Sequence, residues 1–269
     1  MLRFARPSFK YLATFAVVTL VGAYGFYQFH QAKKEAQTGN ALQTVKQNYE
    51  LPEVKSPSII SPYWTAKSTE KFEDAAIQLI EYADFLCPDC LYLTQQLDRL
   101  KKEFAGKINI AFQFFPLEGQ CNTVVDKHLH PGACNLSFMA AYKPDKFLAI
   151  HDEIFANFRS ARNAEWRREL GRKYQVEEAL SDPRTREIVL EIINTGAEYE
   201  KTSDKYAHGI RSTPTMILNN RMIIGTLPYE NLKAIFQALV EEHEGGSKKF
   251  IENWVDTRGR SPQRQPVKK

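Results

Sequence analysis

Residues 76–115 constrain this chain more than any other stretch. Ala76 to Ala83 is a short apolar run carrying Ile77, Leu79, Ile80 and Tyr82, which predicts a buried strand. Cys87-Pro88-Asp89-Cys90 follows almost at once. From Pro88 to Phe104, residues Cys90, Leu93, Leu97, Leu100 and Phe104 recur at three- and four-residue steps, so they share one face of a helix. Ala105-Gly106 ends it. Ile108 to Phe115 then alternates through Ile108, Ile110, Phe112 and Phe114, with Asn109 and Gln113 on the other face, as in a second strand. A strand, a helix and a strand in this order imply a parallel pair joined by a right-handed crossover.

The following block, from about His130 to Tyr206, has helical spacing, as in Phe147, Ile150, Ile154 and Phe155. Thr215 to Leu218 and Arg221 to Ile224 read as two strands joined at Asn219-Asn220, a hairpin signal. A last amphipathic helix after Pro228 carries Leu232, Ile235, Phe236, Leu239 and Val240 on one face and ends at Gly245-Gly246. The expected class is α/β: a central mixed sheet flanked by helices, with a helical insertion at about 118–206 inside a domain spanning 71–244.

The flanks differ in composition. Tyr11 to Phe29 holds no charged residue and follows Arg3, Arg6 and Lys10. That length is about one bilayer crossing for a helix. Residues 1–30 are expected to be a cytoplasmic tip and an uncleaved transmembrane anchor. A signal peptide cut after Val21-Gly22-Ala23 is the competing reading. Residues 31–70 are polar, contain Pro52, Pro57 and Pro62, and read as a linker, with Tyr63 and Trp64 able to dock on the domain's edge. Residues 245–269 read as a basic disordered tail. Much of the net charge of +4 sits at the two ends, and no basic stripe interleaved with aromatics runs through the domain, so nucleic-acid binding is not expected.

The chain has 4 cysteines: Cys87, Cys90, Cys121 and Cys134. Two local pairs behind an apolar amino-terminal segment fit an oxidising, extracytoplasmic compartment. Structural zinc needs four ligands, and no second C-x-x-C exists here. A staple across two intervening residues constrains little of the unfolded chain. Position favours redox chemistry. Cys87 falls at a helix start, where backbone N–H groups and the helix dipole stabilise a negative sulfur. Pro88 suits the first helical position, having no N–H to waste. Cys90 falls on the buried face. An exposed, ionisable Cys87 beside a covered Cys90 is the arrangement thiol–disulfide exchange needs.

The strand, C-x-x-C, helix, long helical insert and later Thr213-Pro214 resemble the thioredoxin superfamily, and specifically its DsbA-like branch of extracytoplasmic thiol–disulfide oxidoreductases. The resemblance spans about Glu73 to Glu242. It implies that Cys87 and Cys90 are the reactive pair and that Thr213-Pro214 is a cis-proline loop. That loop would lie against the sulfurs, and Thr213, Pro214, Pro88 and Asp89 would meet an extended substrate. It implies that Glu81 is the buried carboxylate that relays a proton for the inner cysteine. No cofactor or metal is implied. The partners implied are cysteine-containing substrate proteins and a separate membrane redox partner, with the catalytic domain held in the periplasm by its anchor in the inner membrane. Asp89 departs from the best-known DsbA pattern, which has histidine there. Like-charge repulsion from Asp89 predicts a higher Cys87 pKa than a histidine would give, and hence a weaker oxidant. Threonine before the proline also resembles the isomerase and reductase branches.

Cys121 and Cys134 permit three readings: a structural disulfide, a second redox-active pair, or metal ligands together with His128 and His130. A disulfide closing a loop of roughly 15 residues is worth about 3 kcal/mol in the chain-entropy model. His151 reads as a solvated or satisfied helix histidine. Phe85 and Leu86 are either apolar surface beside the sulfur or core. The alternatives to an oxidoreductase of open direction are a dedicated reductase or isomerase, and a binding or chaperone module with structural cysteines.

Overall fold

The computed structural model describes residues 23–34, 36–37, 59, 63–125, 128–199 and 209–245. The chain divides into two compact units, Met1–Asn48 and Tyr49–Lys269. In the first, residues 23–34 are helical and expose Tyr24, Phe26, Tyr27 and Phe29. Among the described residues no helix is long and apolar enough to cross a membrane. The start of the expected anchor and the basic tail beyond Gly245 lie outside the described residues.

The second unit is built on a five-stranded sheet of order β1-β3-β2-β4-β5. Its strands are β1 (Trp64–Lys67), β2 (Ile77–Ala83), β3 (Ile108–Phe114), β4 (Thr215–Leu218) and β5 (Arg221–Ile224). Its α-helices are α1 (Pro88–Glu103), α2 (Ala133–Tyr142), α3 (Phe147–Ala156), α4 (Ala164–Tyr174), α5 (Pro183–Glu198) and α6 (Tyr229–Gly245). The parallel pair forms as the periodicity demands, with Leu79 opposite Ile110 and Glu81 opposite Phe112. Every other neighbouring pair is antiparallel. Both central strands are buried along nearly their whole length, which is why they read as continuous apolar runs.

The β4–β5 turn follows from its two asparagines. Asn219 and Asn220 both take positive φ, 43° and 63°, matching the twist that a two-residue hairpin requires. Asn219 also ties the hairpin to β2, accepting from the Gln78 N–H at 2.9 Å and donating to the Ala76 carbonyl at 3.0 Å.

One boundary moves. Trp64–Lys67, placed in the linker by its composition, is an edge strand paired to β3 with an irregularity between Trp64 and Ala66. Tyr63 just before it is buried, and its hydroxyl donates to the Ala141 carbonyl at 2.9 Å. Its ring packs edge-on against Phe114 and Phe147. The domain therefore begins before residue 71.

Helices α1 and α6 pack side by side. Phe104 meets Phe236 edge-on at 5.6 Å, and the Arg99 guanidinium lies 3.7 Å above the Tyr229 ring. Helix α5 approaches β2 so closely that a Cβ on Gly196 would stand 3.0 Å from the Tyr82 ring. The insertion of α2 to α5 brings a buried cluster of Phe138, Met139, Ile150, Ile154, Val189 and Ile192 into contact with the sheet's aromatic residues. Ahead of these helices, Leu117 and His130 meet Asp84 just beyond the carboxyl end of β2.

Candidate active site

Cys87 caps α1 with extended backbone, and Pro88 occupies the first helical position. The turn after β2 holds this start in place: the Cys87 N–H donates to the Asp84 carbonyl at 3.1 Å. The Thr213-Pro214 peptide is cis, as the resemblance implied. The Thr213 carbonyl lies 3.3 Å from the Cys87 sulfur and accepts from its thiol. The Pro214 carbonyl accepts from the Gly225 N–H at 2.8 Å, which ties the loop to the hairpin. One sequence expectation needs correction here. The sequence predicts an exposed Cys87, but it is 5% exposed and Cys90 0%, both in one buried cluster with Phe85 and Leu86 and with the Thr213 carbonyl against the Cys87 sulfur. Phe85 and Leu86 are thus core.

The two thiols are both unpaired and are driven in opposite directions. Cys87 is lowered from 9.0 to about 6, first by a hydrogen bond from the Cys90 thiol. Burial opposes this, while the backbone N–H groups of Cys90 and Asp89 and the Thr213 side chain add to it. Cys90 is pushed well above its usual value, first by burial and then by acting as donor to Cys87. The Asp84 N–H donates to its sulfur at 3.4 Å.

Asp89 does not act as its charge suggested. Its side chain is exposed at the helix start, while its backbone N–H stabilises the Cys87 anion. Water screens the charge of an exposed carboxylate and so weakens the repulsion that its sequence position predicts. Pro88 beside it is also exposed.

Glu81 lies in β2, 1% exposed, and its Oε1 has no hydrogen-bond partner. Burial raises its pKa to about 8, with Lys101 pulling down and Asp98 pushing up. Its charge is among those that raise Cys90. A carboxyl that changes ionisation near neutrality, electrostatically coupled to an inner thiol, can exchange a proton with it.

Cys121 and Cys134 form a disulfide, with Cα atoms 5.9 Å apart. That removes them as thiolate ligands of a metal. Among the described residues no group of His, Cys, Asp and Glu could hold one. His130, one of the two histidines proposed as ligands, instead meets Asp84, Nδ1 to Oδ2 at 2.9 Å. Glu118 holds the far end of the loop by accepting from the Gly132 N–H at 3.0 Å and the Cys134 N–H at 2.8 Å. Glycine suits position 132, where φ is 99°, in the left-handed region that strains other residues.

Sequence reasoning missed Asp84. It is wholly buried and accepts from the N–H groups of Leu86 and Leu117, both at 2.6 Å, as well as meeting His130. The available signal was a second acid, three residues before Cys87, in a mostly apolar stretch that already held Glu81. His151 is buried rather than solvated. Its Nδ1 meets Asp152 at 2.8 Å, and its ring sits among Phe85, Phe112, Phe147 and Phe155.

A sequence-family model described as Thioredoxin matches residues 72–238. The chain belongs to the thioredoxin family. The match takes in Glu81, both cysteines of the C-x-x-C, the insertion and the cis-proline loop. Over 100 residues this thioredoxin-family chain is 36% identical to the "Probable disulfide bond formation protein D" of Bacillus cereus, covering 35% of this chain and 42% of that protein. The chain thus matches less than half the length of that curated relative. Among solved structures it resembles alpha-DsbA1 of Wolbachia pipientis, at TM-score 0.52 and 12% identity, over 70% of this chain and 96% of that one. It also resembles oxidised BdbD of Bacillus subtilis, at TM-score 0.50 and 17% identity, over 72% and 98%. These likenesses show a shared thioredoxin-type fold.

Proposed function

We propose that this chain is a DsbA-like, extracytoplasmic thiol–disulfide oxidoreductase, anchored in the inner membrane by its amino-terminal segment, that exchanges disulfides with cysteine-containing proteins. The observation that carries this reading is the paired cysteines with opposed acidities, Cys87 at about 6 and Cys90 well above 9, set against the Thr213-Pro214 loop. A buried structural pair has no need of one ionised sulfur.

In the oxidised enzyme a substrate thiolate attacks the Cys87 sulfur. The Cys87–Cys90 bond breaks, and Cys90 leaves with the electron pair and takes a proton, for which Glu81 is the nearby carboxyl. The substrate's second thiolate then attacks its own sulfur in the mixed disulfide. Cys87 departs as a thiolate, a good leaving group because it is stable when ionised. Two substrate thiols have become a disulfide, and the enzyme pair is reduced. In the reverse direction Cys87 attacks and Cys90 resolves. Thr213, Pro214, Pro88 and Asp89 line the approach of the substrate, and a backbone strand can pair with the loop as in β-augmentation. A separate membrane redox partner would reset the pair. The exchange itself calls for no cofactor.

A stabilised Cys87 thiolate favours the reduced enzyme and therefore disulfide donation. That reverses the direction inferred from Asp89 alone. The test is to mix oxidised full chain with a peptide carrying two cysteines and follow both species by mass spectrometry. Donation gives oxidised peptide, and Cys90→Ala offered the disulfide form of the same peptide accumulates a mixed disulfide on Cys87, because its thiolate attacks the peptide disulfide and no Cys90 resolves the product. No adduct and no peptide oxidation would defeat the reading in favour of a binding module with structural cysteines.

A further inference from the structure

The only acid in the C-x-x-C, Asp89, is exposed, while two basic side chains of the helical insertion, His130 and Arg162, meet the turn that leads into Cys87, at Asp84 and Leu86. The Asp84 turn joins them to it. Asp84 offers its carbonyl to the Cys87 N–H at 3.1 Å and its N–H to the Cys90 sulfur at 3.4 Å. Its carboxylate holds the Leu86 and Leu117 N–H groups and the His130 ring. Arg162 closes the other side, its Nη2 donating to the Leu86 carbonyl at 2.8 Å. His130 is fixed from its own loop as well, since the N–H groups of Leu129 and His130 both donate to the Leu117 carbonyl, at 3.0 and 3.2 Å. Its side chain is 14% exposed, so it meets the active-site turn on one side and solvent on the other.

We propose that His130, oriented by Asp84, is a positioning residue that supplies the positive charge opposite the Cys87 thiolate, and that its protonation tunes how readily Cys87 ionises and departs. This rests on the oxidoreductase reading of Cys87. Asp84 fixes the ring through Nδ1, leaving Nε2 as the atom where the proton comes and goes. The charged groups that act most on His130 are Asp84, Cys87 and Arg162. The hydrogen bond to Asp84 comes first and raises its pKa, burial lowers it, the charges of Asp84 and Cys87 raise it, and Arg162 lowers it. The reciprocal follows from linkage: if the thiolate favours the imidazolium, the imidazolium favours the thiolate equally. Deprotonating His130 would then weaken the thiolate, so the site loses leaving-group quality as pH rises through the His130 pKa.

The experiment uses the full chain. The rate of Cys87 alkylation by iodoacetamide, read by mass spectrometry against pH, gives the thiolate fraction. His130→Gln should lower the rate at pH 6 by about two- to fivefold, the loss expected for a rise of about half to one pKa unit. His130→Lys, which keeps a charge, should recover it and erase the second inflection in the profile. A measurement on the unmodified chain guards against a variant that folds poorly. The His130 ring resonance should titrate at a higher pH in the reduced protein than in the Cys87–Cys90 disulfide form. Unchanged alkylation in His130→Gln, or the same His130 titration in both redox states, overturns the proposal. Neither readout requires turnover. Failure of the unmodified chain to oxidise a dithiol peptide therefore counts against the oxidoreductase reading, and an unshifted His130→Gln profile in a chain that does oxidise it counts only against His130.

Discussion

The two cysteine pairs of this domain differ in nearly every physical respect. Cys87 and Cys90 are separated by two residues at a helix start, are unpaired, and are split in acidity by a hydrogen bond running from one to the other. Cys121 and Cys134, 13 apart in sequence, are already joined and close the loop that carries His130. The first pair is surrounded by groups that respond to its charge: Glu81, the Asp84 N–H, and the Thr213 loop. The second is framed by Glu118, whose carboxylate is committed to two backbone donors. The difference teaches that burial alone does not mark a reactive cysteine, because all four are at most 6% exposed. What separates them is whether the surroundings stabilise one sulfur as an anion.

The sharpest way to break this comparison is to remove one sulfur from each pair. Cys87→Ser should abolish dithiol-peptide oxidation. The double variant Cys121→Ala with Cys134→Ala should keep the rate within a few-fold, so an equal loss in both would erase the distinction. That double variant should instead lose stability, by about 3 kcal/mol for a loop of roughly 15 residues, read by urea unfolding. Glu81 sharpens the electrostatic side. Its pKa is raised to about 8 against 4.5 in the unfolded chain, so its contribution is present in full below about 4.5 and is lost as pH rises through about 8. Glu81→Gln removes that slope. It should stabilise the reduced protein at pH 7 by about 3 kcal/mol, from the 1.36 kcal/mol carried by each pKa unit, while slowing exchange. An unaltered slope would mean Glu81 is not the group that titrates. The smallest effect should come from Asp89→Asn, which leaves the backbone N–H in place. It should move the Cys87 alkylation midpoint by less than about 0.5 unit, since an exposed charge acts weakly through water.

Local pattern made most of the fold legible. The β2–α1–β3 unit, the Asn219-Asn220 hairpin and α6 each announce themselves within their own residues, through periodicity and turn chemistry. β1 did not, since it has four residues, an irregular register and a partner strand more than 40 residues away. Tyr63 was placed at the edge but not recognised as core, because its burial depends on Phe114, Phe147 and Ala141. In the site, Cys87, Cys90, Glu81 and Pro214 could be named from position and resemblance. The Asp84–His130 pair could not, because its partners are 46 residues apart and only the folded insertion brings them together. Asp89 misled for the converse reason. Its sequence position is adjacent to Cys87, but its carboxylate faces solvent and its contribution comes through the main chain.

The most direct test of the account is the reduction potential of each pair, measured on the full chain by equilibration with glutathione and dithiothreitol, with each disulfide assigned by mass spectrometry. A Cys87 thiolate stable near pH 6 predicts a Cys87–Cys90 pair more oxidising than the roughly −270 mV of thioredoxin, with Cys121–Cys134 below about −300 mV as structural disulfides are. If Cys121–Cys134 reduces first, or both pairs reduce together below about −300 mV, the division of labour between the two pairs is wrong.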